Sequence, residues 1–318
     1  MRILITGASG FVGGTFMHRF ANRPELQLFG VARRASVLTN YAQRDLSKPF
    51  DLPFRPDVVI HAAAHASPWG SRRDYERHNV EATRQVIEYC RRAGHPRLLY
   101  ISTSAVYYRE EHQYDLYEDS PIGPSFVNIY AKTKHAGERL LASYGGEHCV
   151  LRPRAVFGPG DTVLFPRIIE AARKGVLPVF IGQVQPVIGD LIYIDTLVDY
   201  LLRAAIAPRL AMSYNLTNAQ PVDLQALLHR VLAQLQLPHP KRRVSVGAAL
   251  KAATALEWLW RTLHLTGEPP ATRFGVGVFA YSKTFDPSRA LADLGPPSVS
   301  LDDGVERFIA WQRRQWSP

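Results

Sequence analysis

Short apolar runs alternate with longer amphipathic stretches over the first half of the chain. The runs typical of strands are Ile3–Thr6, Leu26–Ala32, Val58–Ala62, Leu98–Ser102 and Cys149–Arg152. The stretches typical of helices are Phe11–Ala21, Arg72–Ala93 and Tyr130–Tyr144. Alternating strands and helices indicate βαβ units, and strands that are apolar throughout are covered on both faces. The pattern predicts an α/β fold with a doubly wound parallel sheet.

The pattern changes after the turn Gly158-Pro159-Gly160, where proline and glycine become frequent. One further strand and four helices are predicted beyond it: Leu191–Ile194, then Val222–Leu235, Ala248–Leu265, Arg289–Leu294 and Leu301–Trp311. We expect residues 1–158 to form the main α/β domain, with residues 186–218 returning to it. Residues 159–185 and 219–318 are expected to form a smaller, mostly C-terminal α/β domain.

The composition is typical of a soluble globular enzyme, since 46% of the 318 residues are hydrophobic and 21% are charged. The two cysteines, Cys90 and Cys149, provide neither a disulfide framework nor zinc-ligand spacing, which favours a cytoplasmic location. His61 and His65 lie on either side of Ala62–Ala64, but without further ligands they predict no metal site. The first strand is predicted to begin at once, which leaves no room for a secretory signal.

A formal net charge of +10 raises the question of a nucleic-acid partner. The basic pairs are scattered, as at Arg33-Arg34, Arg72-Arg73 and Arg91-Arg92, and no nucleic-acid-binding module accompanies them. We therefore predict no nucleic-acid partner and interpret these pairs as solvated helix faces. The charge is compatible with an anionic cofactor or an acidic membrane surface.

The chain starts with a glycine-rich turn, Thr6-Gly7-x-x-Gly10-x-x-Gly13, between a predicted strand and a predicted helix. Glycine allows a tight turn and lets backbone N–H groups approach a pyrophosphate, which the helix N-terminus also attracts. The pattern therefore predicts a dinucleotide-binding domain of the Rossmann type. The residues expected to contact the dinucleotide here are Gly7, Ser9, Gly10, Phe11, Val12 and Gly13.

The end of the second strand indicates which dinucleotide is bound. Folds that prefer NAD usually carry an acidic residue there, which accepts a hydrogen bond from the ribose 2′-hydroxyl. This strand ends instead in Ala32-Arg33-Arg34. Because a guanidinium can hold a 2′-phosphate with two hydrogen bonds, we predict NADP(H) as the favoured cofactor, with Arg33 as the leading contact. NAD(H) remains the alternative.

A helix face carries the candidate catalytic pair, Tyr130 and Lys134, four residues apart. A lysine ammonium beside a phenol favours the phenolate, so we expect Lys134 to lower the pKa of Tyr130. Upstream, Ser102-Thr103-Ser104 places three hydroxyls at a strand end. Such a set can exchange a proton with a carbonyl or alcohol oxygen.

Together with the sequence Leu151-Arg152-Pro153-Arg154-Ala155-Val156-Phe157-Gly158-Pro159-Gly160-Asp161, these motifs closely resemble the extended short-chain dehydrogenase/reductase family over nearly the whole chain. The resemblance implies that Thr103 is the catalytic hydroxyl, assisted by Ser104, that Tyr130 is the acid/base, and that Lys134 binds the nicotinamide ribose. Further cofactor contacts implied by the resemblance are Asp45, Leu46, Ala62, Ala63, Ala64, Asn79, Pro153 and Val156.

Departures from the family's patterns distinguish its branches. Dehydratases follow the catalytic threonine with Asp-Glu, whereas Ser104-Ala105 stand here. Sugar-nucleotide epimerases hold the diphosphate with an arginine at the position of Gly189, although Arg273 could substitute for it. The Arg152-Pro153 variant and the C-terminal tail instead resemble the branch of 3β-hydroxysteroid dehydrogenases and bacterial alkyl-ketone reductases.

The resemblance to this branch implies an NADP(H)-dependent oxidoreductase that interconverts an apolar ketone, steroid-like or long-chain β-keto, and its alcohol. The alternatives are a nucleotide-sugar epimerase with the same triad and a non-catalytic dinucleotide sensor. The apolar face of Ala248–Leu265 is interpreted as core packing, with a lid or a peripheral membrane contact as alternatives. The resemblance also implies a homodimer.

Overall fold

The computed structural model describes residues 1–67, 69–182 and 185–316. Its strands are β1 (Arg2–Thr6), β2 (Gln27–Ala32), β3 (Tyr41–Gln43), β4 (Val58–His61), β5 (Arg97–Ile101), β6 (Gln113–Leu116), β7 (His148–Pro153), β8 (Val156–Phe157), β9 (Pro178–Ile181), β10 (Ile188–Gly189), β11 (Ile192–Tyr193), β12 (Ser213–Leu216), β13 (Val222–Asp223), β14 (Arg242–Ser245) and β15 (Lys283–Phe285).

The α-helices are α1 (Phe11–Phe20), α2 (Arg72–Tyr75), α3 (Ala82–Arg92), α4 (Ile129–Leu141), α5 (Phe165–Arg173), α6 (Ile194–Ile206), α7 (Leu224–Gln234), α8 (Val246–Thr262), α9 (Arg273–Ala280), α10 (Ser288–Leu294) and α11 (Leu301–Trp316). A π-helical turn, Glu76–Glu81, joins α2 to α3, and a 3₁₀ turn, Ser104–Tyr107, follows β5. No helix in the described part of the chain is both long and apolar enough to cross a bilayer.

Seven parallel strands form the main sheet, in the spatial order β12-β7-β5-β4-β1-β2-β3. Of the two central strands, β4 is buried throughout and β1 is buried beyond its first residue, since helices cover both faces. The strand order reverses between β1 and β4, and the carboxyl ends of such a pair border the crevice in which α/β sheets bind ligands. The predicted doubly wound parallel sheet is confirmed.

A second, four-stranded sheet has the order β13-β10-β15-β6. Its pairs are distant in sequence: Lys283 pairs with Gln113, and Gly189 pairs with Val222. β6 comes from the first half of the chain, and the other three strands come from beyond residue 186. The division of the chain at the predicted domain boundaries stays a prediction.

Several predicted elements differ in extent. The predicted strand Leu191–Ile194 is reduced to two residues, which pair with β8 outside the main sheet, and α6 begins at Ile194. The predicted helix Val222–Leu235 begins only at Leu224, because the Asp223 side chain accepts hydrogen bonds from the first backbone N–H groups and caps it. The π-helical turn interrupts the helix predicted from Arg72 to Ala93.

Candidate active site

The glycine-rich turn is tightly packed against the end of β4. Gly7 has φ +70°, and a Cβ there would lie 2.8 Å from the backbone nitrogen of Ala63. A Cβ on Gly13 would lie 2.5 Å from the Gly7 carbonyl oxygen. Helix α1 begins behind Gly10 without a side-chain cap, so its N-terminus is open to an anion. The turn fits the pyrophosphate of a dinucleotide.

Replacing Gly7 by alanine is expected to weaken dinucleotide binding at least tenfold, because the new Cβ strains the backbone and pushes the turn away from Ala63. Titration of the purified variant with the cofactor, followed by fluorescence, measures the effect. Gly14→Ala is the matched control, since its Cβ would meet only ordinary contact at 3.4 Å from the Ala8 oxygen. Equal cofactor affinity of Gly7→Ala and wild type would contradict the assignment.

A buried chain of hydrogen bonds fixes the loop that contains Ala62, Ala63 and Ala64. The Thr6 hydroxyl accepts a hydrogen bond from the Ala63 N–H at 3.0 Å and contacts His61 Nδ1 at 2.7 Å. His61 Nε2 lies 3.0 Å from the Thr83 hydroxyl, which donates to the Asn79 carbonyl. Burial lowers the pKa of His61 to about 3, so the ring is neutral. His61 is therefore a core residue that links β1 to β4.

Asn79 braces the same loop against α4. Its side-chain oxygen accepts a hydrogen bond from the His65 N–H at 2.7 Å, and its amide nitrogen donates to the Thr133 hydroxyl at 3.0 Å. Its residue surface is only 1% exposed. The structure therefore gives Asn79 a supporting position, in which it orients both the loop after β4 and the helix that carries Tyr130.

Two arginines lie at the end of β2, beside the glycine-rich turn. Arg34 donates to the backbone oxygen of Ser9 and, at 3.4 Å, to its hydroxyl, whereas the Arg33 guanidinium lies 2.9 Å from His78 Nε2. Arg34 thus reaches the glycine-rich turn, and Arg33 as the leading contact of a 2′-phosphate stays a prediction. Both side chains are exposed.

Asp45 and Leu46 lie after β3. Burial raises the pKa of Asp45, but hydrogen bonds from Ser47 and Arg77 outweigh it and hold that pKa at about 2. The Arg77 guanidinium contacts the carboxylate at 2.6 Å. Leu46 is buried in the core, so a cofactor contact there involves its backbone. Asp45 is thus already paired with Arg77, so it does not compete with a bound phosphate for Arg33 and Arg34.

The strand end after β5 and the N-terminus of α4 bring the candidate hydroxyls together. Thr103 caps the 3₁₀ turn by accepting a hydrogen bond from the Ala105 N–H at 3.2 Å, and Ser104 begins that turn in a buried position. Asn128 caps α4, which fixes the first-turn residue Tyr130. Burial raises the pKa of Tyr130 to about 12, and interaction with the Thr103 side chain partly offsets this rise.

Lys134 does not lower the pKa of Tyr130, contrary to the expectation from the sequence. Its ammonium lies 4.1 Å from the centre of the Tyr100 ring, and its residue surface is 2% exposed. Burial lowers the pKa of Lys134 itself to about 7, although the charge of Glu138 opposes this. Lys134 therefore carries a labile proton near neutral pH.

Gly137 allows Tyr100 to lie beneath Lys134. A Cβ at Gly137 would overlap the Tyr100 hydroxyl, which also donates to the Lys134 carbonyl at 3.2 Å. Neither Gly137 nor Tyr100 was identified from the sequence as part of the site. The sequence contains a glycine inside a predicted helix and a tyrosine in a predicted strand, but only the structure shows that these two residues are in contact.

A buried ion pair supports the site from behind. Glu138 accepts two hydrogen bonds from Arg152, at 3.0 and 2.8 Å, and a third from the Ser102 hydroxyl. Arg152 also donates to the Tyr107 hydroxyl and to the Glu118 carbonyl. The pair joins α4, β5 and β7 where Thr103 and Lys134 lie. Glu138 was not predicted from the sequence, although it stands one turn beyond Lys134 on α4.

Pro153 and Val156 flank a strained step at the end of β7. Pro153 is the last residue of that strand, and Val156 begins β8. Ala155 between them has φ +41°, a left-handed conformation that is unusual for alanine. Since Ile101 pairs with Leu151 in parallel register, continuing the register puts Pro153 level with Thr103.

Fold and site define a dinucleotide-dependent oxidoreductase of the extended short-chain dehydrogenase/reductase type. Residues 3–217 match the model of the NAD dependent epimerase/dehydratase family, and the chain belongs to this family. It is 33% identical to a 2-alkyl-3-oxoalkanoate reductase of Stenotrophomonas maltophilia, over 98% of this chain and 99% of the relative. It is an enzyme that acts on hydroxyl or keto groups.

Two other similarities cover almost the whole chain. A sterol-4-alpha-carboxylate 3-dehydrogenase of Schizosaccharomyces pombe is 26% identical, over 97% of this chain and 96% of the relative. The solved structure of MoeE5 with UDP-glucose and NAD superimposes with a TM-score of 0.74 at 25% identity, over the full length of both chains.

Proposed function

We propose that this enzyme interconverts a β-keto acid bearing large apolar groups and the corresponding β-hydroxy acid, with NADP(H) as cofactor. The observation that supports the proposal is the contact of the Tyr130 phenol, on the first turn of α4, with the Thr103 side chain after β5, with Lys134 one turn further along the same helix. The names of two relatives support the substrate class. A 3-oxoalkanoate and a sterol 4-carboxylate that reacts at C3 both carry the carboxylate on the carbon next to the reacting one.

Each residue of the triad has a distinct part in the proposed mechanism. The Thr103 hydroxyl donates a hydrogen bond to the ketone oxygen, and the Tyr130 phenol transfers its proton to that oxygen as negative charge develops. Lys134 binds the nicotinamide ribose and exchanges a proton near neutral pH. The bound cofactor supplies the hydride. In the oxidative direction Tyr130 accepts the proton of the alcohol.

A substrate comparison tests the proposal. We expect a 2-alkyl-3-hydroxyalkanoate or a 3β-hydroxysterol 4-carboxylate to reduce NADP⁺, followed by absorbance at 340 nm. The oxidative direction is preferable because β-keto acids lose carbon dioxide spontaneously. Conversion of UDP-glucose without any net reduction of cofactor would instead identify an epimerase, and NADP(H) binding without turnover of any compound would identify a sensor.

Two features argue against the epimerase alternative. A Cβ on Gly189 would lie 2.9 Å from Leu224 Cδ1, so the apolar Leu224 side chain occupies the space that an arginine would need. Arg273, the possible substitute, already donates to Glu110 through two nitrogens and to the Thr254 hydroxyl at 2.7 Å. At Gly189 apolar packing stands where a guanidinium would hold a diphosphate. The guanidinium of Arg273 is already bound to Glu110 and Thr254.

The preference for NADP(H) is assigned to Arg33 and Arg34 together. Replacing both by alanine is expected to raise KM for NADPH at least tenfold more than KM for NADH, because only NADPH carries the 2′-phosphate. Steady-state kinetics with both cofactors measures this. Arg314→Ala, an exposed arginine on α11, is the control. An equal effect on both cofactors, or none, would contradict the assignment.

Helix α8 is proposed to bind the surface of an anionic membrane. Only Ala253 is buried along its 17 residues, whereas Trp258 and Leu263 are 65% and 60% exposed, and Lys241-Arg242-Arg243 precedes the helix. The core packing expected from the sequence holds for one face only, where Ala253 and partly buried Leu250 pack against Phe180 and Val276. Exposed aromatic and aliphatic side chains beside basic residues favour the bilayer interface.

Vesicle flotation tests this surface. Binding to vesicles with about one-third phosphatidylglycerol is expected to fall at least fivefold in Trp258→Ser/Leu263→Ser. Tyr114→Ser/Tyr117→Ser, which removes exposed aromatics elsewhere, is the control. Absence of binding by the wild type, or equal binding by the two double variants, would contradict the proposal. Homodimer formation and the cytoplasmic location stay predictions.

A further inference from the structure

An arginine that makes no hydrogen bond within the described residues lies in the interior, beyond the end of β7. Arg154 is 5% exposed, its Nε has no hydrogen-bond partner, and its guanidinium donates to no residue in the described ranges. Burial lowers the pKa of Arg154, but a guanidinium stays charged in proteins. A buried guanidinium with unused donors is costly even where a carboxylate lies nearby, and a ligand that accepts hydrogen bonds from it would offset that cost.

Two further polar atoms nearby lack partners. The Tyr108 hydroxyl and Asp190 Oδ1 are buried without hydrogen bonds, and both side chains interact electrostatically with Arg154. The other carboxylate oxygen of Asp190 accepts a hydrogen bond from the Phe285 N–H at 2.9 Å. Arg154 and Asp190 also line one end of a small cavity whose walls are otherwise apolar, formed by residues of α5, α7 and α9.

A second buried amine borders this cluster. Lys283 is 1% exposed, donates to the backbone oxygens of Glu111 and Ser282, and lies 4.5 Å from the centre of the Tyr108 ring. Burial and the charge of Arg154 lower the pKa of Lys283 to about 7, although the charge of Glu111 opposes this. An anion bound beside Arg154 would favour the protonated form of Lys283.

The cluster adjoins the catalytic residues along the chain. Pro153 is level with Thr103 in the extended register, and Arg154 is the next residue. Tyr108 directly follows the 3₁₀ turn that Thr103 caps. A group held by Arg154 and Tyr108 would therefore belong to the same substrate as a ketone held by Thr103, with its apolar part directed toward the cavity.

We propose that Arg154, assisted by Tyr108 and Lys283, binds the carboxylate of the substrate and makes the enzyme selective for β-keto and β-hydroxy acids over neutral ketones and alcohols. This inference rests on the proposed function and assigns to that site a specificity-determining residue. Arg154 donates hydrogen bonds to the carboxylate, and the Tyr108 hydroxyl donates a further one.

Binding and turnover are measured separately to test Arg154. The probes are 3-hydroxydecanoate, its neutral methyl ester and UDP-glucose, each titrated into the NADP⁺-loaded enzyme by calorimetry. Arg154→Met is expected to weaken binding of the acid about 30-fold or more and to change binding of the ester less than threefold. Arg154→Lys should recover part of the affinity for the acid. Arg209→Met, an exposed arginine after α6, should leave both unchanged.

The possible outcomes test the role of Arg154 independently of the proposed reaction. Selective loss of acid binding in Arg154→Met supports the carboxylate site even where no turnover is found, which would refute only the reaction. Equal loss of acid and ester, or unchanged acid binding, overturns the role of Arg154. Binding of UDP-glucose that depends on Arg154 would assign the anion to a diphosphate and would also overturn it.

Discussion

Tyr130→Phe is expected to lower kcat by about 10³-fold, while KM and cofactor affinity change little. The phenylalanine ring fills the same space at the start of α4, so only the hydroxyl beside Thr103 is lost. General acid/base groups contribute about 10² to 10⁴ in rate, and no other described phenol is placed on the first turn of this helix. Steady-state turnover of the hydroxy acid with NADP⁺ measures the effect.

The control for this variant is Tyr117→Phe, which removes the hydroxyl of a half-exposed tyrosine elsewhere. Far-ultraviolet circular dichroism establishes that both variants are folded. Full turnover by Tyr130→Phe would show that another group transfers the proton. A rise in KM with unchanged kcat would assign Tyr130 to substrate binding alone.

Glu138→Ala is expected to lower the free energy of unfolding by about 3–5 kcal/mol, because it leaves the buried Arg152 guanidinium without its carboxylate. Urea denaturation followed by circular dichroism measures the change. Glu170→Ala is the matched control, since its helical ion pair with Lys174 is exposed and is worth less than about 1 kcal/mol.

A double variant tests the physical reason for this loss. Glu138→Leu/Arg152→Met removes both charges and should recover most of the stability, because replacing a whole buried pair by apolar groups is often neutral. If Glu138→Ala and Glu170→Ala cost the same, the buried pair has no special role. If the double variant is less stable than Glu138→Ala, the hydrogen bonds of Arg152 to Tyr107 and Glu118 outweigh the ion pair.

The same pair makes stability depend on pH. Burial raises the pKa of Glu138, but the nearby His135 ring and the hydrogen bonds from Arg152 outweigh it and hold the folded-state pKa at about 2, below the ordinary value of 4.5. The stabilisation is therefore complete above pH 4.5 and is lost as the pH falls toward 2. The difference in unfolding free energy between wild type and Glu138→Ala should shrink over the same range.

Five strands of the main sheet could be predicted because they are continuous apolar runs separated by amphipathic helices, whereas the edge strands β3 and β12 are short and carry polar residues. The second sheet could not, because its strands are two to four residues long and pair across large sequence distances, such as Gln113 with Lys283. Hydrophobic periodicity carries no information on pairing of this kind. A strand of only two residues, such as β10, is also too short to show a hydrophobic pattern in the sequence.

Strand ends and helix spacing made it possible to predict site residues such as Thr103 and Tyr130 from the sequence. The raised pKa of Tyr130 could not be predicted, because it depends on burial and on where the Lys134 ammonium lies relative to Tyr100. In the sequence Arg154 is only one residue of the motif from Leu151 to Asp161. Its lack of a hydrogen-bond partner is visible only when the residues around it are in place.

Isotope transfer tests the proposed reaction most directly. The enzyme is incubated with a 2-alkyl-3-oxoalkanoate, prepared immediately before use, and NADPH deuterated at both C4 positions, and the product is examined by mass spectrometry. We predict one deuterium on C3 of the hydroxy acid for each NADPH oxidised. A hydroxy acid without deuterium, or no oxidation of NADPH while UDP-glucose is epimerised, would contradict this account.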